Sequence, residues 1–213
     1  MTLLSINPEL VEQIDIHLKF RNLKFGINVS SNFKFNLFMT DSLENRLWWN
    51  YLEEDLQELI LQSLRLIETV EDWKRDPSTS SGQEFHDYAF VVFPAAKAYE
   101  GFLKKLFLDL GLISPEQYYG KRFRVGKALN PSLKKSLRDK FGVYYKLINY
   151  CAGDSGLANT LWDTWRECRN VLFHWFPNEK NAISFEEAKE KFDMILATLD
   201  KATKECKIDR ARE

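Results

Sequence analysis

Cysteine is scarce, with three in the chain, Cys151, Cys168 and Cys206. Their wide and uneven spacing fits neither a disulfide framework nor a zinc motif, so the sequence predicts buried, reduced thiols. No cluster of Asp, Glu and His stands at ligand spacing either, and no resident metal is expected. A basic stretch followed by an apolar one is absent from the N-terminus, so no secretory leader is expected. No apolar run approaches the length of a membrane span. These absences together predict a cytoplasmic protein with no membrane partner. Internal repeats are also lacking.

What is present is enough for a core. The 213 residues are 45% hydrophobic and 14% aromatic, which suits one good-sized domain or a small module plus a domain. Net charge is only −1, but it is unevenly placed. Between Lys121 and Lys146 stand nine basic residues (Lys121, Arg122, Arg124, Lys127, Lys134, Lys135, Arg138, Lys140 and Lys146) and one acid, Asp139. Nine less one is +8, leaving −9 for the rest. A basic segment in an otherwise acidic chain marks either a polyanion site or a solvated helix face.

Periodicity divides the chain. Ile14, Ile16, Leu18 and Phe20 alternate with polar residues, as do Leu23, Phe25, Ile27 and Val29, and then Phe33, Phe35 and Leu37. The pattern predicts a small antiparallel β meander over residues 1–41, too small to stand alone. From 42 to 207 the sequence predicts a helical domain with a polar linker at about 76–83. A long helix is expected from Leu43 to Trp73, which has no Gly or Pro. Another is expected from Phe85 to Leu110, kinked or split by Pro94. Ser114-Pro115 and Asn130-Pro131 open short helices, the second from Leu133 to Phe141. Asp154 and Ser155 cap a helix from Leu157 to Phe176, and Ser184 with Glu187 forms a capping box for a last helix over 185–204. The expected fold class is mainly α.

Near the end of the 157–176 segment lies Arg169-Asn170-Val171-Leu172-Phe173-His174. An arginine binds anions, and a histidine moves protons near neutral pH. At about 100° per residue, Leu161, Trp165, Cys168, Leu172 and Trp175 form one core stripe. Arg169 falls on its flank, and Asn170 and His174 fall on the opposite face, one turn apart. Phe173 beside His174 favours a second interface over plain solvent. The alternative is a surface Arg and a C-terminal His⁺ placed well for the helix dipole.

The Arg-polar-x-x-x-His motif on the penultimate helix, before a capped closing helix, resembles the HEPN superfamily. The segment Tyr88–Phe107, with Tyr99-Glu100-Gly101-Phe102-Leu103 inside it, makes the chain similar to the C-terminal domain of RNase LS type toxins over about residues 85–204. The resemblance implies a HEPN-like helical bundle and a metal-independent endoribonuclease. It implies a homodimer with a composite active site, RNA as substrate, no cofactor, and a cognate antitoxin as partner. It assigns catalysis to Arg169, His174 and Glu100, with Asn170 in the polar position. For Glu100 the alternative is a surface i,i+4 pair with Lys104. Lys121, Arg122, Arg124, Lys127, Lys134, Lys135 and Arg138 are the expected RNA-binding residues. A non-catalytic RNA-binding or partner-docking module is the competing reading.

Overall fold

Ala89–Asp109 is wrapped on nearly every side, and the other helices are arranged around it. The computed structural model describes residues 43–76, 84–150, 154–175, 177 and 181–206. The described helices are α1 (Glu54–Arg75), α2 (Ala89–Asp109), α3 (Pro115–Tyr119), α4 (Val125–Ala128), α5 (Lys135–Phe141), α6 (Val143–Tyr150), α7 (Gly156–Trp165) and α8 (Phe185–Glu205). A π-helical turn, Arg166–Asn170, continues α7. The described part is therefore mainly α, and no strand occurs in it. The expected meander over 1–41 lies outside the described residues, as does most of the polar linker. No described helix is long and apolar enough to cross a membrane.

α2 packs against α1, α8 and α7 and against the π turn. Val91, Val92, Ala95, Ala96, Tyr99, Phe102, Leu103, Leu106 and Phe107 are fully enclosed. Each large apolar side chain among them stabilises the fold by about 1.5–3 kcal/mol relative to exposure. Close approach of α1 depends on Gly101, because a Cβ there would stand 2.7 Å from both methyls of Leu56. One open side of α2 carries Phe90, Phe93 and Lys97, which are exposed, and Glu100 and Lys104, which are half-buried.

Pro94 lies inside α2 and does not split it. Proline removes one ladder donor and crowds the carbonyl four residues back. Ser63 of α1, fully buried, accepts a hydrogen bond from the Ala95 N–H at 2.9 Å beside this break.

The expected helix from Leu43 begins only at Glu54, and residues 45–53 form turns instead. Tertiary anchors override helix propensity there. Trp48 is fully buried and its indole N–H donates to Asp200 at 2.8 Å. Arg46 pairs with the same carboxylate at 2.7 Å, and the Tyr51 hydroxyl donates to Asp109 at 2.7 Å. A straight helix would not present these groups to α8 and α2 together.

Two of the expected caps form, whereas Ser155 makes no side-chain cap bond at the start of α7, where Asp154 accepts from Gly156 N at 2.7 Å. Ser114 makes a capping box with Gln117, and Ser184 makes one with Glu187, so α8 starts at Phe185. Asn130 accepts from Ser132 N at 2.8 Å, and the helix that follows runs from Lys135 rather than Leu133. Cys168 and Cys206 are buried and form no disulfide, while Cys151 lies outside the described residues.

The largest departure concerns the 157–176 helix. Regular α geometry ends at Trp165, and the π turn hands over to a non-helical turn at 171–173. Val171 N donates to Arg166 O at 2.8 Å, a five-residue step that fits one extra residue into the turn. The wheel loses phase at that point. Leu161, Cys168 and Leu172 are buried as expected, but Trp175 is 81% exposed instead of lying in the core stripe.

Candidate functional site

Arg169 occupies the last turn of the π segment, on the side packed against α2. Its Nε donates to Glu100 Oε2 at 3.4 Å, across 69 residues of sequence. Lys104 reaches the other oxygen of Glu100 at 3.8 Å. Glu100 therefore contacts both Arg169 and the helical Lys104. The Arg169 guanidinium also lies 5.6 Å from the Phe173 ring centroid, and Phe173 meets Phe93 edge-on at 5.2 Å. Half-buried ion pairs of this kind contribute about 0.2–1 kcal/mol, so this one positions groups more than it stabilises the fold.

The π turn itself is locked to α8. Glu167 pairs with Lys191 at 2.8 Å, and that ammonium holds its carboxyl below the usual carboxylate range. Cys168 points inward, with its thiol against the Lys191 carbonyl at 3.5 Å. Burial pushes this thiol up to about 12, which leaves it protonated and a poor nucleophile.

His174 is exposed, at the end of the turn. Its Nδ1 stands 2.5 Å from the Asn170 carbonyl oxygen. A carbonyl only accepts, so Nδ1 carries the hydrogen, and whenever the ring is neutral Nε2 is the acceptor nitrogen. That is the tautomer a general base needs. Asn170 thus acts on His174 through its main chain. Asn181 donates its side-chain N–H to the carbonyls of His174 and Val171, clamping the turn. A cavity of about 270 Å³ opens here, lined by Asp87, Leu172, Phe173, His174, Trp175 and Asn181 among others. Asp87 is engaged with main-chain donors, accepting from Ala89 N at 3.0 Å and Ile183 N at 3.2 Å. Phe173 links the two halves of the site, since it lines the His174 cavity and underlies Arg169.

The basic segment forms a second feature. Lys121, Arg122, Arg124 and Lys127 line a cavity of about 440 Å³ together with Phe123 and Phe141. It shares no lining residue with the His174 cavity. Gly126 fixes its position: a Cβ there would stand 2.0 Å from the Trp165 ring, so the loop is pressed onto the end of α7. Lys134 and Lys135 are exposed at the start of α5 and do not line the cavity. Arg138 is occupied structurally, donating to Leu133 O at 3.0 Å and stacking 4.0 Å over Tyr145.

No family model, curated protein or solved structure matches this chain.

The structure therefore joins Arg169 with Glu100, and it ties His174 to Asn170 in the following turn. Lys121, Arg122, Arg124 and Lys127 line a cavity that Lys134, Lys135 and Arg138 do not. Among the described residues no group of three or more His, Cys, Asp or Glu could hold a metal ion. Asp87 and Asn181 were not legible as site residues, because both act on main-chain groups that only the fold brings near. Lone Asp and Asn residues in polar stretches carry no signal of that role.

Proposed function

We propose that the chain is a HEPN-type endoribonuclease that cleaves single-stranded RNA without a metal, acting as a toxin or phage-defence effector. The observation that carries this reading is the Glu100–Arg169 ion pair, linked through Phe173 to the cavity that holds His174. RNA brings its own nucleophile, the 2′-OH. His174 takes its proton, the oxygen attacks the adjacent phosphorus, and the 5′-oxygen leaves with a proton returned by an acid. The ends are a 2′,3′-cyclic phosphate and a 5′-OH. General acid–base work of this kind contributes about 10²–10⁴-fold. Arg169 offsets charge on the phosphorane oxygens, a role often worth about 10²–10³-fold for one donor. Glu100 is a positioning residue that holds Arg169 by its Nε.

One chain offers one histidine to this site, whereas the reaction uses a base and an acid. A homodimer in which two motifs meet supplies both. The open α2 stripe beside the site, with Phe90 and Phe93 exposed, supports such a pairing. A cognate antitoxin belongs to the same reading as the agent that blocks the site.

The test is incubation of the purified chain with single-stranded RNA in EDTA. Wild type should give cyclic-phosphate ends, and His174→Ala and Arg169→Ala should lose cleavage. Cleavage that persists in both variants removes the site assignment. RNA binding without cleavage by wild type would favour the docking-module reading instead.

A further inference from the structure

We propose that the cavity under the Lys121–Lys127 loop seats one unstacked base of single-stranded RNA against Phe123, a specific subsite and not a general basic surface. The inference rests on the RNA reading above only for the identity of the polymer. Three observations carry it.

The first is shape and lining. At about 440 Å³ the cavity falls within the size of small-ligand sites, roughly 300–1,000 Å³. Its aromatic walls, Phe123 and Phe141, suit a flat ring better than a bare phosphate. The second is charge. Lys121, Arg122, Arg124 and Lys127 line it against one carboxylate, Glu116. Arg124 donates to the Lys121 carbonyl at 2.7 Å, which braces the loop and fixes one cation at the rim. The third is which aromatic face is available. Lys127 lies 4.0 Å from the Phe141 centroid and Lys140 lies 5.3 Å from it, so cations already cover that ring. Phe123 is half-buried and makes no ring or cation contact among the described residues. A base entering the cavity would stack on Phe123 while its phosphate meets the cations at the rim. Aromatic platforms beside cationic grooves bind single strands in this manner, and a paired duplex base cannot enter.

The probes are adenosine 5′-monophosphate and ribose 5-phosphate, which share the sugar phosphate and differ in the base. Each is titrated into the full chain by calorimetry, with NMR shifts to locate the site. The monophosphate should bind at the cavity, and ribose 5-phosphate should bind at least about tenfold more weakly. Phe123→Ala should weaken the nucleotide by about tenfold, and Phe123→Tyr should retain it. Equal affinity for the two probes means a plain anion site and overturns the proposal, as does no nucleotide binding. Unchanged nucleotide affinity in a folded Phe123→Ala chain also overturns it. If Phe123→Ala does not fold, the wild-type comparison decides alone. RNA cleavage is assayed in parallel. A chain that seats the nucleotide at Phe123 but cuts no RNA keeps the subsite and loses the nuclease reading. A chain that cuts RNA but seats no nucleotide does the reverse.

Discussion

Glu100 sits between two cations, at 3.4 Å from Arg169 and 3.8 Å from Lys104. With all three side chains about a third exposed, solvent screens both pairs, and removing the charge should cost less than about 1 kcal/mol of stability. If Glu100 aims Arg169, the same change must cost far more in rate. Glu100→Gln should therefore melt within a few degrees of wild type yet cleave RNA at least about tenfold more slowly. Equal rates would reduce the contact to a surface ion pair. Arg169→Lys is a sharper variant, because an ammonium keeps the charge and loses the planar fork. A second prediction concerns Glu167, whose carboxyl is held low by Lys191. A depressed folded value contributes stability above the unfolded pKa of about 4.3 and loses it as pH falls through the lower folded value. Glu167→Gln should lower the melting temperature at pH 7, and the gap should close as the pH drops well below about 4. A gap that persists in acid would assign the effect to packing. Of these residues, Arg169 and His174 stood out by type and spacing, whereas Glu100 was singled out only by the family resemblance. The tautomer of His174 was not legible, since it depends on a turn geometry that places the Asn170 carbonyl under Nδ1.

Elements whose signals are local were read well, and those set by distant contacts were not. The Ser184/Glu187 box lies within three residues and fixes the start of α8. The turns at 45–53 depend on Asp200 and Asp109, far along the chain, and no local pattern announces them. The π turn is the same case. Glu167 and Cys168 are held by α8, and that grip stores one extra residue just before the motif. Trp175 escapes the core stripe because the helical geometry ends before it, at a turn over 171–173. Packing between α1 and α2 gives a prediction with a change of sign. Gly101→Ala gains about 1 kcal/mol of helix propensity but meets both Leu56 methyls at 2.7 Å, an overlap costing about 1–3 kcal/mol. The substitution should be neutral to destabilising in wild type and stabilising in a Leu56→Ala background, read by denaturant unfolding of the double-mutant cycle. The same sign in both backgrounds would mean that Leu56 does not limit the approach. Beside it, Ser63→Ala removes the hydrogen bond to the Ala95 N–H and should lower stability by about 0.5–1.5 kcal/mol in denaturant unfolding.

At the scale of the molecule, the helical fold buries most of α2 but leaves one side open, and that side carries Phe90, Phe93 and Glu100. Phe90 and Phe93 are 36% and 50% exposed on the helix that also carries Glu100. Phe93 rests edge-on against Phe173, which in turn underlies Arg169. An isologous dimer places the same patch of both chains face to face, so each residue near the axis acts twice. Two exposed phenylalanines would then be buried, and two His174 rings could divide the roles of base and acid. The amphipathic wheel placed His174 off the core, but the proposed interface would depend on Phe93 and Phe173 meeting across elements 80 residues apart, which no periodicity shows. Phe93→Glu tests the arrangement. The ring is half exposed, and the lost edge-on pair is worth only about 0.5–1.5 kcal/mol, so the helical fold should persist by circular dichroism. A carboxylate against its own copy should convert a dimer to a monomer in sedimentation, and RNA cleavage should disappear with it. Arg169 and His174 remain untouched in that variant, so a loss of activity that follows the loss of the dimer assigns the site to two chains. A monomeric Phe93→Glu protein that still cuts RNA at the wild-type rate would place the whole site within one.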